Sequence, residues 1–217
     1  RWNAASHGRP LPSLSPPPPA TPSPPFDPPL QIPTTTELLK SACTSSACSN
    51  CILDPSLTNL GFLFSGKTSL CDAEIGRWDT SRVTSMYGMF NGATNFNADL
   101  SSWNTSNVIT MGSMFSNAKH FNGDVSGWDT GKVTDMSSMF AYANAFQGTG
   151  LLGWDMSSVT KMNNMLQYTD VDLDLSVWDL SSVVNPAVDV FETSDDHPSD
   201  ENKCAMVGMA FALSSWT

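Results

Sequence analysis

Five tryptophans recur through the middle of the chain at positions 78, 103, 128, 154 and 178, with spacings of 25, 25, 26 and 24 residues. The residues after each one keep step. Trp78-Asp79-Thr80-Ser81-Arg82-Val83, Trp103-Asn104-Thr105-Ser106-Asn107-Val108 and Trp128-Asp129-Thr130-Gly131-Lys132-Val133 are nearly one string. A fourth copy runs from Trp154 to Val159 and a decaying fifth from Trp178 to Val183. Two methionines three apart follow each of the first four valines, at Met86/Met89, Met111/Met114, Met136/Met139 and Met162/Met165. Phe90, Phe115 and Phe140 come next (Leu166 in the fourth unit), then Ala93, Ala118 and Ala143, then Phe96, Phe121 and Phe146. Self-similarity at such a period marks stacked repeats, because one short unit cannot bury its own apolar face. Each repeated position therefore becomes a column. Trp78, Trp103, Trp128, Trp154 and Trp178, with Met86, Met111, Met136 and Met162, are the expected structural core columns. The even register of the methionines argues for packing rather than redox or metal chemistry.

The coarse reading of one unit is a short strand near Asn97–Ser101, an extended stretch near Val83–Ser85, and a helical or 3₁₀ turn across Met86–Gly92. Strands pairing in parallel at about 4.8 Å would stack the units into a short solenoid. The recurring string Trp-Asp-Thr-Ser-x-Val-Thr-x-Met-x-x-Met-Phe-x-x-Ala-x-x-Phe-Asn-x-Asp-Leu-Ser-x resembles the BspA-like leucine-rich repeat of surface proteins from bacteria, protists and algae. The match runs from residue 74 to about 184 and decays after Val184. The resemblance implies a leucine-rich-repeat-like solenoid of short parallel strands and helical or 3₁₀ turns, used outside the cell for adhesion or assembly. It transfers no catalytic residue, since the motif is structural.

Four zones follow: a proline-rich arm at 1–33, a cysteine-containing cap at 34–76, the repeats at 77–184, and an acidic loop with a C-terminal cap at 185–217. Pro10, Pro12, Pro16 to Pro19, Pro22, Pro24, Pro25, Pro28, Pro29 and Pro33 leave the arm no helix or central strand. Its expected state is an extended polyproline II helix. Such an arm is either a spacer or a strand laid on a partner, in a groove of a neighbouring chain or of this chain's own repeats. Phe26, Leu30 and Ile32 interrupt the prolines with apolar side chains that a spacer has no use for, and are the partner-contact candidates. The first residue is Arg1, so a segment such as a cleaved signal peptide is expected to have preceded it. In the cap, a threonine ahead of Glu37 starts a short helix with Leu38, Leu39 and Ala42 as its buried stripe.

Cys43, Cys48, Cys51 and Cys71 stand at x₄, x₂ and x₁₉ spacings. That order resembles a plant-type two-iron cluster, whose last gap is longer, and only weakly a zinc site. Two disulfides stapling the cap suit a secreted chain better. Three pairings remain open, and Cys204 is left odd.

A formal charge of −11 repels phosphate backbones, so nucleic acid is not an expected partner. No run approaches the roughly 18 apolar residues of a membrane span, so no membrane insertion is expected. Gly61-Phe62-Leu63-Phe64-Ser65-Gly66-Lys67-Thr68 fits the phosphate-loop pattern, yet its bulky residues would keep amides off a phosphate. Leu63-Phe64 reads better as a degenerate copy of Met89-Phe90. Asp79, Asn104, Asp129, Asp155 and Asp179 form one polar ladder, and Asp99, Asp124 and Asp174 another. They serve either turn hydrogen bonds or a calcium ladder that lacks its glycine-rich loops. Thr80, Thr105 and Thr130 also align, but Met156 and Leu180 end that column. Asn104-Thr105-Ser106 is a glycosylation sequon. His7, His120 and His197 are scattered and form no triad.

The expected function is a non-enzymatic, cofactor-free structural or adhesive component of an extracellular or cell-surface assembly. Its partners are other protein chains of that assembly, with glycan contact also allowed. The alternative is a ligand-binding module recognising a protein or glycan. A remoter one is an iron–sulfur or redox protein built on the four clustered cysteines.

Overall fold

The computed structural model describes residues 35–44, 48, 51–184 and 190. The arm with Phe26, Leu30 and Ile32, and nearly all of residues 185–217 with Cys204, lie outside the described residues.

Each unit folds into a rung whose turn segment donates forward, while Thr84, Ile109, Thr134 and Thr160 just before it donate back to Thr58, Thr84, Ile109 and Thr134. The N–H groups of Met86, Gly88, Phe90 and Gly92 donate to the carbonyls of Thr110, Gly112, Met114 and Ser116 at 2.7 to 3.0 Å. Met111, Ser113, Phe115 and Asn117 do the same to Asp135, Ser137, Met139 and Ala141, and Met136, Ser138, Phe140 and Tyr142 to Lys161, Asn163, Met165 and Gln167. An earlier rung precedes these: Leu60, Phe62, Phe64 and Gly66 donate to Ser85, Tyr87, Met89 and Asn91. Leu63 and Phe64 thus stand where Met89 and Phe90 stand one rung on, and both are buried. The intervening N–H groups, Met89, Asn91 and Ala93, bond back to Met86, Gly88 and Phe90, closing turn after turn.

These turns overturn the expected strands. Two positions per rung hold positive φ: Phe62, Gly88, Ser113, Ser138 and Asn164 in one column, Gly66, Gly92, Asn117, Tyr142 and Tyr168 in the other. Extended backbone needs negative φ throughout, so two inversions four residues apart break the Met86–Gly92 stretch of each rung into turns. Parallel pairing shrinks to isolated bridges linking Asn59, Ser85, Thr110, Asp135 and Lys161. Among the described residues there is neither strand nor sheet, and the leucine-rich-repeat-like solenoid of parallel strands is not formed. The stretch Asn97–Ser101 is irregular, and Met86–Gly92 is a run of turns rather than a helix. The one 3₁₀ helix described, Leu151–Gly153, absorbs the extra residue of the 26-residue spacing, entered through Gly150 at φ 97°.

Packing follows the columns. Trp78, Trp103, Trp128 and Trp154 stack at centroid distances of 6.5, 6.3 and 6.0 Å, with ring planes nearly parallel in each pair. Every indole is also anchored: Nε1–H of Trp78, Trp103, Trp128, Trp154 and Trp178 donates to the carbonyls of Cys51, Ile75, Leu100, Val125 and Leu151. Phe90 stacks on Phe96 within its rung at 3.9 Å and on Phe115 of the next at 5.5 Å. Met86, Met89, Met111, Met114, Met136, Met139, Met162 and Met165 are all buried. Offset ring stacking supplies contact along the axis, and the flexible thioethers fill what the rings leave.

The cap closes the upstream end. Helix α1, Thr35–Thr44, buries Leu39 and Cys43, an i, i+4 stripe, while Leu38 is 55% exposed. The stripe is therefore rotated from the Leu38-Leu39-Ala42 face the sequence suggested. Cys43 pairs with Cys51, and Cys48 with Cys71 at the start of helix α2, Asp72–Ile75. The Cys71 N–H donates to the Cys43 carbonyl at 3.0 Å, so both bridges knit one junction.

Two tests address the stack. Trp128→Ala should cost about 3–5 kcal/mol in chemical denaturation. Trp128→Phe should cost about 0.5–1.5 kcal/mol, because it removes the indole donor while the Leu100 carbonyl keeps the Trp103 N–H. An unchanged stability in Trp128→Phe would show that the indole bond contributes nothing. Gly92→Ala meets no close atom, only the left-handed φ of 70°, so it should lose about 1 kcal/mol. Ser113→Gly, relieving the same strain at φ 55°, should gain stability in the same assay.

Candidate interaction faces

Both aspartate ladders are turn locks. Oδ1 of Asp79, Asn104, Asp129, Asp155 and Asp179 accepts the N–H two residues on, at 2.9 to 3.1 Å. Asp99, Asp124 and Asp174 do likewise toward Ser101, Ser126 and Ser176. This is the Asx turn, which short polar side chains form because they reach their own backbone. Asp79, Asp155, Asp174 and Asp179 are held below the usual carboxylate range by the hydroxyl and then the N–H of the serine two residues on. For Asp54 and Asp99 the N–H leads and the hydroxyl follows. Among the described residues no group of three or more His, Cys, Asp or Glu is placed to hold a metal ion.

The threonine column turns inward. Thr80, Thr105 and Thr130 are buried, and their hydroxyls donate to the carbonyls of Asn104, Asp129 and Asp155. Asn104 is exposed, with the Ser106 hydroxyl donating to its Oδ1 at 2.7 Å. Asn107, at the variable position before Val108, bridges rungs: its Nδ2 donates to the Ser81 carbonyl and its Oδ1 accepts from Lys132 Nζ. The residues of the phosphate-loop pattern are spent on the first rung, with Leu63 and Phe64 in the core. The thiols of Cys43, Cys48, Cys51 and Cys71 are joined in pairs, so none stands free to ligate iron or zinc in this state. His120 lies beside the Thr94 carbonyl at 2.7 Å, while His7 and His197 lie outside the described residues.

Two features escaped the sequence reading. One is an amide ladder on the face after the Phe96 column: Asn97 N–H donates to Asp72 Oδ2, Asn122 N–H to Asn97 Oδ1, and Gln147 N–H to Asn122 Oδ1. Side-chain carbonyls replace the missing strand ladder here. Its signal was a polar residue following Phe96, Phe121 and Phe146 without exception. Recesses of about 440 and 380 Å³ lie on this face, one around Asp72, Arg77 and Asp99, the other around Gln147, Leu152 and Leu173. The second feature is exposed aromatic surface on the turn face. Phe62 and Tyr87 meet edge to face at 5.3 Å, and Tyr142 stacks on Tyr168 at 4.7 Å. Phe62, Tyr142 and Tyr168 all sit at positive φ, a position legible only from coordinates.

Asp72 differs from the other carboxylates: burial raises its pKa, and the Asn97 N–H only partly offsets that. A lowered aspartate stabilises above its unfolded pKa of about 3.9, and that contribution is lost as pH falls through the folded value. A raised one stabilises below the unfolded value and loses that as pH climbs through the folded value. The melting temperature should therefore fall from pH 5 toward pH 2. Asp72→Asn, which keeps the acceptor and drops the charge, should raise it at pH 7 and leave it unchanged at pH 2 to 3. A loss at pH 7 would mean that the charge itself is needed.

Among the described residues no helix is long and apolar enough to cross a membrane. No curated protein and no solved structure matches the chain. A family model, described as a Mycoplasma protein of unknown function, DUF285, matches residues 55–151 and 139–204. The match opens within five residues of Asn59, at the head of the first rung, and takes in every rung described. By that match, which spans more than half of its 217 residues, the chain belongs to the DUF285 family.

Proposed function

We propose that the protein is a non-enzymatic structural or adhesive component of an extracellular or cell-surface assembly, related to the BspA-like surface repeat proteins. The observation that carries this reading is the use to which the polar side chains are put. The aspartates of both ladders, the inward threonines and the rung-bridging asparagines are spent on holding turns or joining rungs. What remains outward is a repetitive surface on a stacked core, a form suited to lateral contact with other chains. Two disulfides in a small cap favour an oxidising compartment, hence secretion or surface display. Membership of a family whose function is unknown leaves this reading open, and the repeat string supports it.

In this reading the proline-rich arm, residues 1–33, engages a neighbouring chain, anchored by Phe26, Leu30 and Ile32. A polyproline II segment has little backbone freedom left to lose, so it docks at modest entropic cost. Deleting residues 1–33 should leave the rung stack folded, with its melting transition and both disulfides intact, and abolish incorporation into the native assembly. Normal incorporation of the truncated protein would reduce the arm to a tether and overturn the proposal.

A further inference from the structure

We propose that the exposed pair Phe62 and Tyr87 is the seat for the proline-rich segment, residues 9–33, of a second copy of this chain. The inference rests on the assembly reading above and names where the arm lands.

Phe62 is anomalous on two counts. It holds φ at 56°, in the left-handed region that bulky residues rarely adopt, and it is 55% exposed. Burial therefore does little to offset the strain. The same column holds Gly88, Ser113, Ser138 and Asn164 in later rungs, so the turn itself has no need of an aromatic ring. Backbone strain held by an exposed side chain points to a role outside the fold.

The surroundings make a shaped seat. The Phe62 ring lies against Gly88, where an added Cβ would come within 2.6 Å of it, and the Tyr87 ring lies against Gly112, where the distance would be 2.8 Å. Both glycines leave the rings room to rest on the next rung. Tyr87 is 37% exposed, and the rings meet at 65° with centroids 5.3 Å apart, presenting two adjoining aromatic surfaces to solvent. Two residues of a polyproline II helix advance about 6 Å, close to the 5.3 Å between the two ring centroids, so an Xaa-Pro pair can lie across both rings. Aromatic-lined grooves are the general receptor for such helices, whose rings pack without loss of backbone freedom.

Charge and reach favour this occupant. Residues 1–33 carry Arg1 and Arg9 against the single Asp27, while the whole chain stands at −11. Arg9 directly precedes Pro10-Leu11-Pro12. The carboxylate of Asp135 lies on the Tyr87 side of the pair, since the added Gly112 Cβ would also lie 3.3 Å from its Oδ1. An extended arm of this length spans about 100 Å, enough to reach from one copy to the next. A seat and a matching segment thus occur in every copy at equal concentration.

The test uses the full chain in sedimentation velocity over a range of concentrations. Wild type should associate, and excess synthetic peptide 9–33 should dissociate it. Phe62→Gly and Tyr87→Ser should each weaken association at least tenfold. Phe62→Gly should melt no lower than wild type, because glycine suits the local φ. Association as strong as wild type in both variants, but lost on deleting residues 1–33, would overturn the seat and leave the arm reading standing. Association that survives the deletion overturns both. A wild type that stays monomeric and does not bind the peptide overturns the seat. So does binding of a soluble oligosaccharide in the peptide's place, lost in the same two variants.

Discussion

Each rung hands four N–H groups forward to the carbonyls of the next rung, closes the donors between them on itself in β-turns, and passes others back, as Ile109 does to Thr84. That division is set by the sign of φ, inverted at two positions per rung. Column packing depends on it, because the same turns that exclude a sheet bring Met86, Met89, Phe90 and Ala93 to the interior together. A continuous strand alternates its side chains between two faces. A chain of turns gathers its apolar positions on one side and leaves glycine, serine, asparagine and tyrosine on the other.

Buried polar groups are satisfied by the same logic. Indole N–H groups and threonine hydroxyls sit in the core, where an unpaired donor costs about 1–3 kcal/mol. Each donates to a carbonyl about one rung away: the threonines to Asn104, Asp129 and Asp155, and most of the indoles to a carbonyl that also closes a turn, as Leu100 does with the Trp103 N–H. Among the described residues, no buried side-chain nitrogen or oxygen lacks a partner. The tryptophan column is therefore both packing and hydrogen bonding, which explains why it tolerates spacings of 24 to 26 without losing register. The extra residue at Gly150 is taken up in the 3₁₀ turn before Trp154, upstream of the anchor.

The outer faces show two economies of polar chemistry. Aspartates that look like a calcium ladder in one dimension each reach only their own turn in three. The amide ladder from Asp72 through Asn97 and Asn122 to Gln147 does what a strand would have done, with side-chain carbonyls as acceptors. Among the described residues, the aromatic pair Phe62 and Tyr87, which spans the first two rungs, is not spent in this way.

Sequence periodicity alone determined the stacking, the period, and the membership of the tryptophan, methionine and phenylalanine columns, because a short unit can bury those residues only against its copies. It also grouped Cys43, Cys48, Cys51 and Cys71 into one cap, though not their pairing, which depends on which Cα atoms the helix and turn bring close. It misjudged the backbone. A repeat of mixed polar and apolar residues reads equally as strand or turn, and only φ distinguishes them; serine and tyrosine at Ser113, Ser138 and Tyr142 gave no sign of a left-handed position that glycine announces at Gly88 and Gly92. The tertiary structure decided that the threonines face inward, that the carboxylates lock turns, and that Phe62 lies open beside Tyr87. Each outcome rests on which carbonyls and which glycines the neighbouring rung presents, a relation between residues about 25 apart that no local pattern contains.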